Sequence, residues 1–207
     1  MKKSNYELQR DAWAQKILTL DIDLLCRKLP EIQREEERLL LWHLGKKIAL
    51  NLCDGTLSCV SDGKPLSLNL CFNIYTLLWY VKEHAMQSGN WVSFADLKNA
   101  SPYAPAFQRT VLKSLAATFS GNEEALENAA KTLRGSRINQ NSYFLPAFAC
   151  IPMRLQFWDG DEEFPAQANL LFDKNATDFI HVESIVTIAS EALSQLAEAA
   201  ALPIKDE

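Results

Sequence analysis

Alternating apolar and polar residues around position 50 limit the fold more than any other pattern in the chain. Ile48, Leu50 and Leu52 alternate with Lys47, Ala49 and Asn51, and Asp54-Gly55 follows. A period of two is typical of a β-strand, and Asp-Gly supplies the positive backbone angles that a two-residue hairpin turn needs. The pattern predicts a hairpin with its turn at Asp54-Gly55.

The hairpin also assigns faces to its residues. With a two-residue turn, Leu57 and Cys59 share the buried face with Leu50 and Leu52, whereas Cys53 points away. Cys53 and Cys59 should therefore not form a disulfide. An apolar run at 39–44 before Gly45 predicts a preceding strand, and Asp62-Gly63 predicts a closing turn, which together give a three-stranded meander.

Several other stretches have apolar residues at helical spacing. Ser4 and Glu7 form a capping box for a first helix, and Asp21 and Asp23 predict a short second one that ends before Pro30. The central helix is predicted from Ser67, with an apolar stripe of Leu70, Cys71, Ile74, Leu77, Leu78, Val81 and Ala85. Further helices are predicted at 111–119, after Asn122 up to Gly135, and from about Val182.

A second hairpin is predicted late in the chain. Residues 153–158 alternate, 167–172 form the returning strand, and the acidic stretch is the loop between them. Residues 31–38 are interpreted as a solvated linker or helix turn, and 136–142 as a polar loop. The sequence predicts a single α+β domain over residues 1–207: a small antiparallel sheet, built from the meander and the late hairpin, covered by amphipathic helices, with a polar tail from about 203.

Composition excludes several classes of protein. The net charge is −5, from 21 Lys+Arg and 26 Asp+Glu, so no general field attracts nucleic acid or anionic lipid. Five scattered cysteines show neither a disulfide framework nor a zinc or iron–sulfur motif. The start of the chain has no apolar stretch behind its two lysines, and no apolar run is long enough to span a bilayer. We expect a cytoplasmic protein without a nucleic-acid or membrane partner.

The densest chemistry lies in the sequence FWDGDEEFPAQANLLFD from Phe157 to Asp173. Asp159, Asp161, Glu162 and Glu163 lie between Trp158 and Phe164. Position 170 is Leu where a calcium loop would need Glu, which excludes an EF-hand. Such a cluster can still bind a divalent ion, because a cation relieves the repulsion between like charges. It can also be a docking surface for a protein partner, since two large rings are more apolar area than a turn needs. The alternative is a solvated acidic turn.

A second group of polar residues surrounds the start of the last helix. Asp173 should lie roughly 20 Å from the acidic loop, because six strand residues at about 3.3 Å each separate them. It is instead close in sequence to Asp178, His181 and Glu183, which could carry acid–base chemistry. The alternative is structural, with Asp173 in a turn and Glu183 at a helix N-terminus.

Two candidate anion sites contain arginine. Tyr103, Phe107 and Arg109 offer aromatic stacking and a guanidinium, although core packing explains the rings equally well. Lys131, Arg134 and Arg137 could seat one anion or could line a solvated helix end. No phosphate loop, dinucleotide fingerprint, HExxH or GxSxG motif occurs in the sequence.

Several blocks resemble a known family. They are GNWVSF at 89–94, YAPAF at 103–107, WDGDEEFPA at 158–166 and LFD at 171–173, followed by an acidic residue at Glu183. Together they resemble an uncharacterised family, a domain of unknown function found mostly in anaerobic bacteria and archaea, with some members fused to iron–sulfur and corrinoid-binding domains. The resemblance implies an anaerobe and a link to corrinoid or one-carbon enzymes.

Three functions stay open from the sequence. The first is a cytoplasmic accessory or ligand-binding module, with a protein partner of one-carbon or corrinoid metabolism. The second is a metal-dependent hydrolase or lyase that uses carboxylates. The third is a sensor of a small anion. The sequence identifies no cofactor, and the candidate binding residues are Trp158, Asp159, Asp161, Glu163, Phe164, Tyr103, Arg109, Asp173 and Glu183.

Overall fold

A computed structural model describes residues 3–205, in which helices surround two antiparallel sheets. The strands of the first sheet, in spatial order, are β1 (Gln33–Glu35), β2 (Arg38–His43), β3 (Lys46–Asn51) and β4 (Leu57–Cys59). Those of the second are β5 (Trp91–Ser93), β9 (Gln167–Asp173), β8 (Ile151–Trp158), β7 (Ser142–Phe148) and β6 (Ser136–Asn139). The predicted α+β class is confirmed, with the meander and the late hairpin in two sheets instead of one.

The helices occur before, between and after the strands. They are α1 (Asn5–Ile17), α2 (Ile22–Lys28), α3 (Leu68–Tyr80), α4 (Ala104–Phe107), α5 (Ser114–Phe119), α6 (Glu123–Thr132), α7 (Ala176–Phe179) and α8 (Val182–Ala199). A π-helical turn, Gln108–Lys113, joins α4 and α5 into one continuous helical segment. Within residues 3–205, no helix has both the length and the apolarity needed to cross a membrane.

Most of the predicted helix starts are confirmed by their caps. Ser4 and Glu7 form the reciprocal capping box of α1, and the side chains of Asp21 and Ser67 accept from the backbone at the starts of α2 and α3. Helix α6 begins after Asn122 as predicted, but this side chain makes no capping hydrogen bond. Its amide donates instead to the Ser120 carbonyl over 2.9 Å.

The meander is confirmed, but its second turn is longer than predicted. Leu50 pairs with Leu57 and Ile48 pairs with Cys59, so residues 52–56 form a loop between β3 and β4. The prediction of a two-residue turn was wrong, because the true register is shifted by two residues. An even shift leaves every side chain on its predicted face, since successive strand residues point to opposite sides.

Four strands, β1, β5, β6 and β7, were not predicted. The supposed linker at 31–38 contains β1 and a turn, and the supposed loop at 136–142 contains β6 and the beginning of β7. Both β1 and β6 are edge strands with every residue exposed, so they lack the apolar alternation from which strands are recognised. β5 pairs with β9 and places Trp91 opposite Asp173.

The core is built on α3 and α8, as their apolar stripes predict. Leu70, Cys71, Ile74, Leu77, Leu78 and Val81 are buried, whereas Ala85 is half-buried and lies beyond the end of α3. Polar groups join the two helices, since the hydroxyls of Thr76 and Ser184 lie 3.2 Å apart. Buried residues of both sheets and of the helices belong to one hydrophobic cluster.

The two sheets meet at the turn between β2 and β3. The Leu44 N–H donates to the Pro146 carbonyl over 3.2 Å. His43 is fully buried, and its ring lies 4.6 Å from that of Phe148. Among residues 3–205, neither nitrogen of His43 finds a hydrogen bond of good geometry, although the Ala147 carbonyl is close enough to favour the charged ring. Burial dominates and lowers the pKa of His43 to about 4.

Candidate functional site

The acidic loop between β8 and β9 is held in shape by two of its own carboxylates. Asp161 Oδ1 accepts from the backbone N–H groups of Glu163 and Phe164, both over 2.8 Å, and the Asp161 N–H donates to the Phe164 carbonyl. These backbone N–H groups lower the pKa of Asp161. Asp161 therefore shapes the loop and stays charged at neutral pH.

Asp159 anchors the loop to the rest of the protein. Its Oδ1 accepts from the N–H of Gly121, in the turn between α5 and α6, and from the N–H of Gly160, each over 2.8 Å. A Cβ on Gly160 would lie 2.9 Å from the Ala166 nitrogen, so the two arms of the loop are in close contact. The loop is therefore fixed at its base and closed on itself.

The two aromatic residues of the loop remain open to solvent. The exposed fraction is 42% for Trp158 and 63% for Phe164. With the Asn141 side-chain oxygen facing the indole, Trp158 Nε1 donates to it over 3.0 Å, which orients the ring. Glu162 and Glu163 are exposed, and neither makes an ion pair within residues 3–205. Rings and free carboxylates thus share one outer surface.

A cleft of about 290 Å³ lies beside this loop. One wall is the strand entry Pro165 to Ala168, and the other comes from the helical segment. Gln108, Leu112 and Lys113, which line it, belong to the π-helical turn. π turns are rare and occur frequently at functional sites, because the wide turn displaces side chains from α-helical positions. We call the acidic loop and this cleft together the loop–cleft surface.

The third predicted group, Tyr103, Phe107 and Arg109, is divided between the core and the surface. Phe107 is buried, stacks on Phe94 with ring centroids 4.1 Å apart, and meets Phe172 edge-on. Tyr103 is half-buried before α4, and Arg109 is exposed on the π turn. The ring of Phe107 therefore packs in the core and is not available to a ligand.

Asp173 organises a buried turn at the far end of β9. It is only 2% exposed. Its Oδ1 accepts from the Ser88 N–H and hydroxyl and from the Asn175 N–H, and its Oδ2 accepts from the Gly89 N–H over 2.7 Å. A carboxylate has about four acceptor positions, and four donors contact this one, three at Oδ1 and one at Oδ2. Burial raises the pKa of Asp173, but the hydrogen bonds outweigh burial and lower it overall.

The other residues of the predicted acid–base group form an ion pair or lie at the start of α8. Asp178 forms an ion pair with Lys82. His181 is the N-cap of α8, where its Nδ1 accepts from the Glu183 N–H over 3.3 Å. Glu183 lies in the first turn of that helix, where a carboxylate complements the dipole. Within residues 3–205, no three His, Cys, Asp or Glu side chains are grouped so that they could hold a metal ion. The alternative of a metal-dependent hydrolase or lyase stays a prediction.

The basic residues near the end of α6 already contact other side chains of the protein. Arg137 donates to Glu127 and Glu123, and Lys131 pairs with Glu127 over 2.6 Å. The Arg134 guanidinium lies 3.8 Å from the ring centroid of Trp42. Each of the three cations is thus engaged by a carboxylate or a ring, a pairing that neither of the two sequence-based interpretations of this cluster predicted.

Two parts of the loop–cleft surface were missed from the sequence. Asn141 lies in a polar turn, and nothing in that turn indicates a contact with an indole 17 positions later. The π turn at 108–113 has the same apolar spacing as an ordinary helix, so periodicity does not distinguish the two. Trp158 and Phe164, by contrast, were found from the sequence because large rings are unusual in an acidic turn.

Comparison with known proteins identifies the family but no activity. Comparisons with curated proteins and with solved structures find no match. A family model described as a domain of unknown function, DUF3786, matches residues 23–194, which include the whole loop–cleft surface. Since the match spans far more than half of the chain, the protein belongs to this family of domains of unknown function, DUF3786.

Proposed function

We propose that the protein is a non-catalytic binding or accessory module that contacts its partner through the loop–cleft surface. The observation that carries the proposal is the exposure of Trp158 and Phe164 on a loop that its own hydrogen bonds hold in place. Aromatic residues are enriched at the centres of protein interfaces. A loop fixed before binding loses little conformational entropy when the partner arrives.

The free carboxylates indicate the chemistry of the partner. Asp159 and Asp161 each use Oδ1 to bind backbone N–H groups, whereas the exposed Glu162 and Glu163 carry negative charge that no ion pair within residues 3–205 neutralises. A complementary surface would hold Lys or Arg around an apolar pocket that receives a ring. Charge complementarity of this kind speeds association and makes it sensitive to salt.

The resemblance to proteins of anaerobes suggests where to look for the partner. Relatives fused to iron–sulfur and corrinoid-binding domains make an enzyme of corrinoid or one-carbon metabolism the first candidate. We propose that this chain serves such an enzyme in the cytoplasm of an anaerobe. If the partner belongs to another pathway, the binding role still holds but the assignment to corrinoid or one-carbon metabolism is wrong.

Removing the rings should abolish partner binding without unfolding the protein. Alanine at both Trp158 and Phe164 deletes the apolar centre of the surface, and truncation of such residues costs about 2–4 kcal/mol each in known interfaces. Lysine at both Glu162 and Glu163 should weaken binding most at low salt. The measurement is capture from an anaerobic lysate, followed by titration calorimetry with the purified partner.

Matched variants at other positions test whether a loss of binding is specific to this surface or follows from any loss of apolar area or charge. Tyr6→Ala removes a ring that is 67% exposed on α1, and Glu83→Lys reverses a charge on another exposed segment. Both should bind as the parent does. Asp161 is left unchanged because its substitution would open the loop. Equal binding by the parent and the ring-deleted variant would remove the loop–cleft surface from consideration.

A further inference from the structure

A second cleft, of about 320 Å³, lies between α1, α3 and β4. This volume lies near the lower end of the range for small-molecule sites, roughly 300–1,000 Å³. Its apolar lining comes from Ala14, Leu57, Pro65 and Leu66, and its charged lining consists of two neighbouring residues, Arg10 and Asp11. The cleft therefore combines apolar surface with both signs of charge.

The walls of the cleft are held together by close contacts. Tyr75 is 1% exposed, and its hydroxyl donates to the Gly55 carbonyl over 2.8 Å. Gly55 has a φ of +75°, and a Cβ there would lie 2.3 Å from the Ala14 carbonyl oxygen. The loop before β4 thus packs directly on α1 while Tyr75 ties it to α3. The cleft is preformed and is not a gap between loosely placed segments.

Arg10 and Asp11 retain hydrogen-bonding capacity after binding each other. Arg10 Nε and Nη2 donate to Asp11 Oδ1 over 3.0 and 2.7 Å, and Lys3 Nζ donates to Asp11 Oδ2 over 2.5 Å. A guanidinium has five N–H donors and a carboxylate about four acceptor positions. Within residues 3–205, three donors of Arg10 and one acceptor position of Asp11 are left open.

The remaining lining adds no competing charge. Cys71 is buried in the cleft wall, and burial raises the pKa of its thiol to about 11, so it is neutral at pH 7. The hydrogen bond to Asp11 raises the pKa of Arg10, and the hydrogen bonds from Lys3 and Arg10 lower the pKa of Asp11. Both residues are therefore fully charged at neutral pH.

We propose that this cleft binds an α-amino acid with an apolar side chain. The carboxylate of the ligand would accept from the open donors of Arg10, its ammonium would donate to Asp11, and its side chain would lie against Ala14, Leu57 and Leu66. A zwitterion can use both the open donors of Arg10 and the open acceptor position of Asp11, whereas a single ion can use only one of the two. Arg10 and Asp11 precede residue 23, where the family match begins, so the site is inferred for this chain alone.

The test compares L-leucine with two analogues that each lack one of its charges. The analogues are 4-methylpentanoate, which has no ammonium, and 3-methylbutylamine, which has no carboxylate. We expect leucine to shift the methyl resonances of Ala14, Leu57 and Leu66 in a saturable way, with a dissociation constant at least roughly tenfold below that of either analogue. NMR titration of the full chain measures the dissociation constants of all three compounds.

Two variants assign the charges, and a third serves as a control. The Arg10→Met variant should bind leucine only as tightly as the parent binds 3-methylbutylamine. The Asp11→Asn variant should bind leucine only as tightly as the parent binds 4-methylpentanoate. Arg27→Met, at an exposed arginine of α2, should leave the affinity unchanged. The proposal is overturned if leucine gives no saturable shift up to its solubility limit, if an analogue binds equally well, or if Arg10→Met has no effect. None of these variants alters the loop–cleft surface.

Discussion

Replacing Asp173 by alanine is expected to destabilise the protein by about 3–5 kcal/mol, because three backbone N–H groups and one hydroxyl lose their acceptor. Domains are typically stable by about 5–15 kcal/mol, so the loss is a large part of the total. For a chain of this size it corresponds to a fall in melting temperature of roughly 10 °C. Thermal and urea unfolding measure it.

Asp178→Asn is the matched control for Asp173→Ala. It removes one carboxylate from the same part of the chain, but that carboxylate only pairs with an exposed lysine, Lys82. Exposed ion pairs contribute about 0–1 kcal/mol, so this variant should unfold nearly as the parent does. If Asp173→Ala also remained within 1 kcal/mol or so of the parent, the turn at Ser88 and Gly89 would not depend on Asp173.

Acid should destabilise the protein through His43, and His43→Leu should remove this sensitivity. The pKa is about 6.5 for an unfolded histidine and about 4 in the fold. Between these values only the unfolded state binds the proton, so stability falls by about 1.4 kcal/mol per pH unit, or roughly 3 kcal/mol in total, as pH drops from 6.5 to 4. Above pH 6.5 both states are neutral and His43 contributes no pH dependence.

Leucine is close to histidine in volume and has no polar atoms to leave unpaired beside Phe148. His43→Leu should therefore be at least as stable as the parent at pH 7, and clearly more stable at pH 5. Urea unfolding at the two pH values measures the difference. His84→Gln, at an exposed histidine, should keep the pH dependence of the parent. Parallel stability curves for His43→Leu and the parent would show that another group carries the acid response.

The sequence was most informative where a local rule determines the structure. Capping residues marked the starts of α1, α2 and α3, because an N-cap side chain contacts backbone only three residues away. The faces of β3 and β4 were correct even though the turn was not, because the error in register was even. The length of the loop at 52–56 depends on its packing against α1, which no local pattern records.

The strands that were missed lack the local signals from which strands are recognised. β1 and β6 are exposed edge strands, β5 has only three residues, and β7 contains Pro146, which cannot donate to a strand ladder. In the structure, the pairing of β7 with β8 is irregular between Leu145 and Phe148, so the proline lies in the interruption. Whether a Pro-containing run is a strand depends on its partner, and the partner is not visible in the run itself.

The candidate sites show the same limit. The acidic loop could be located from its composition, but the division of its acids into shaping and free carboxylates depends on hydrogen bonds. Asp173, Asp178 and His181 are neighbours in sequence, yet each serves a different segment: the turn at Ser88, Lys82 and the start of α8. These residues were predicted to act together because they are close in sequence, but their tertiary contacts give each of them a different role.

The π turn also determines which changes of chain length the gene can tolerate. A π turn holds about one residue more than an α turn, so deleting one codon within Gln108–Lys113 would give an uninterrupted α-helix. Backbone hydrogen bonding would survive, and the later positions of α5 would keep nearly the same orientation, because the wide turn completes the same rotation with one residue more. Leu115 and Phe119, both buried, would stay in the core. Such a deletion should therefore leave the protein folded and change only the side chains that the π turn presents to the cleft.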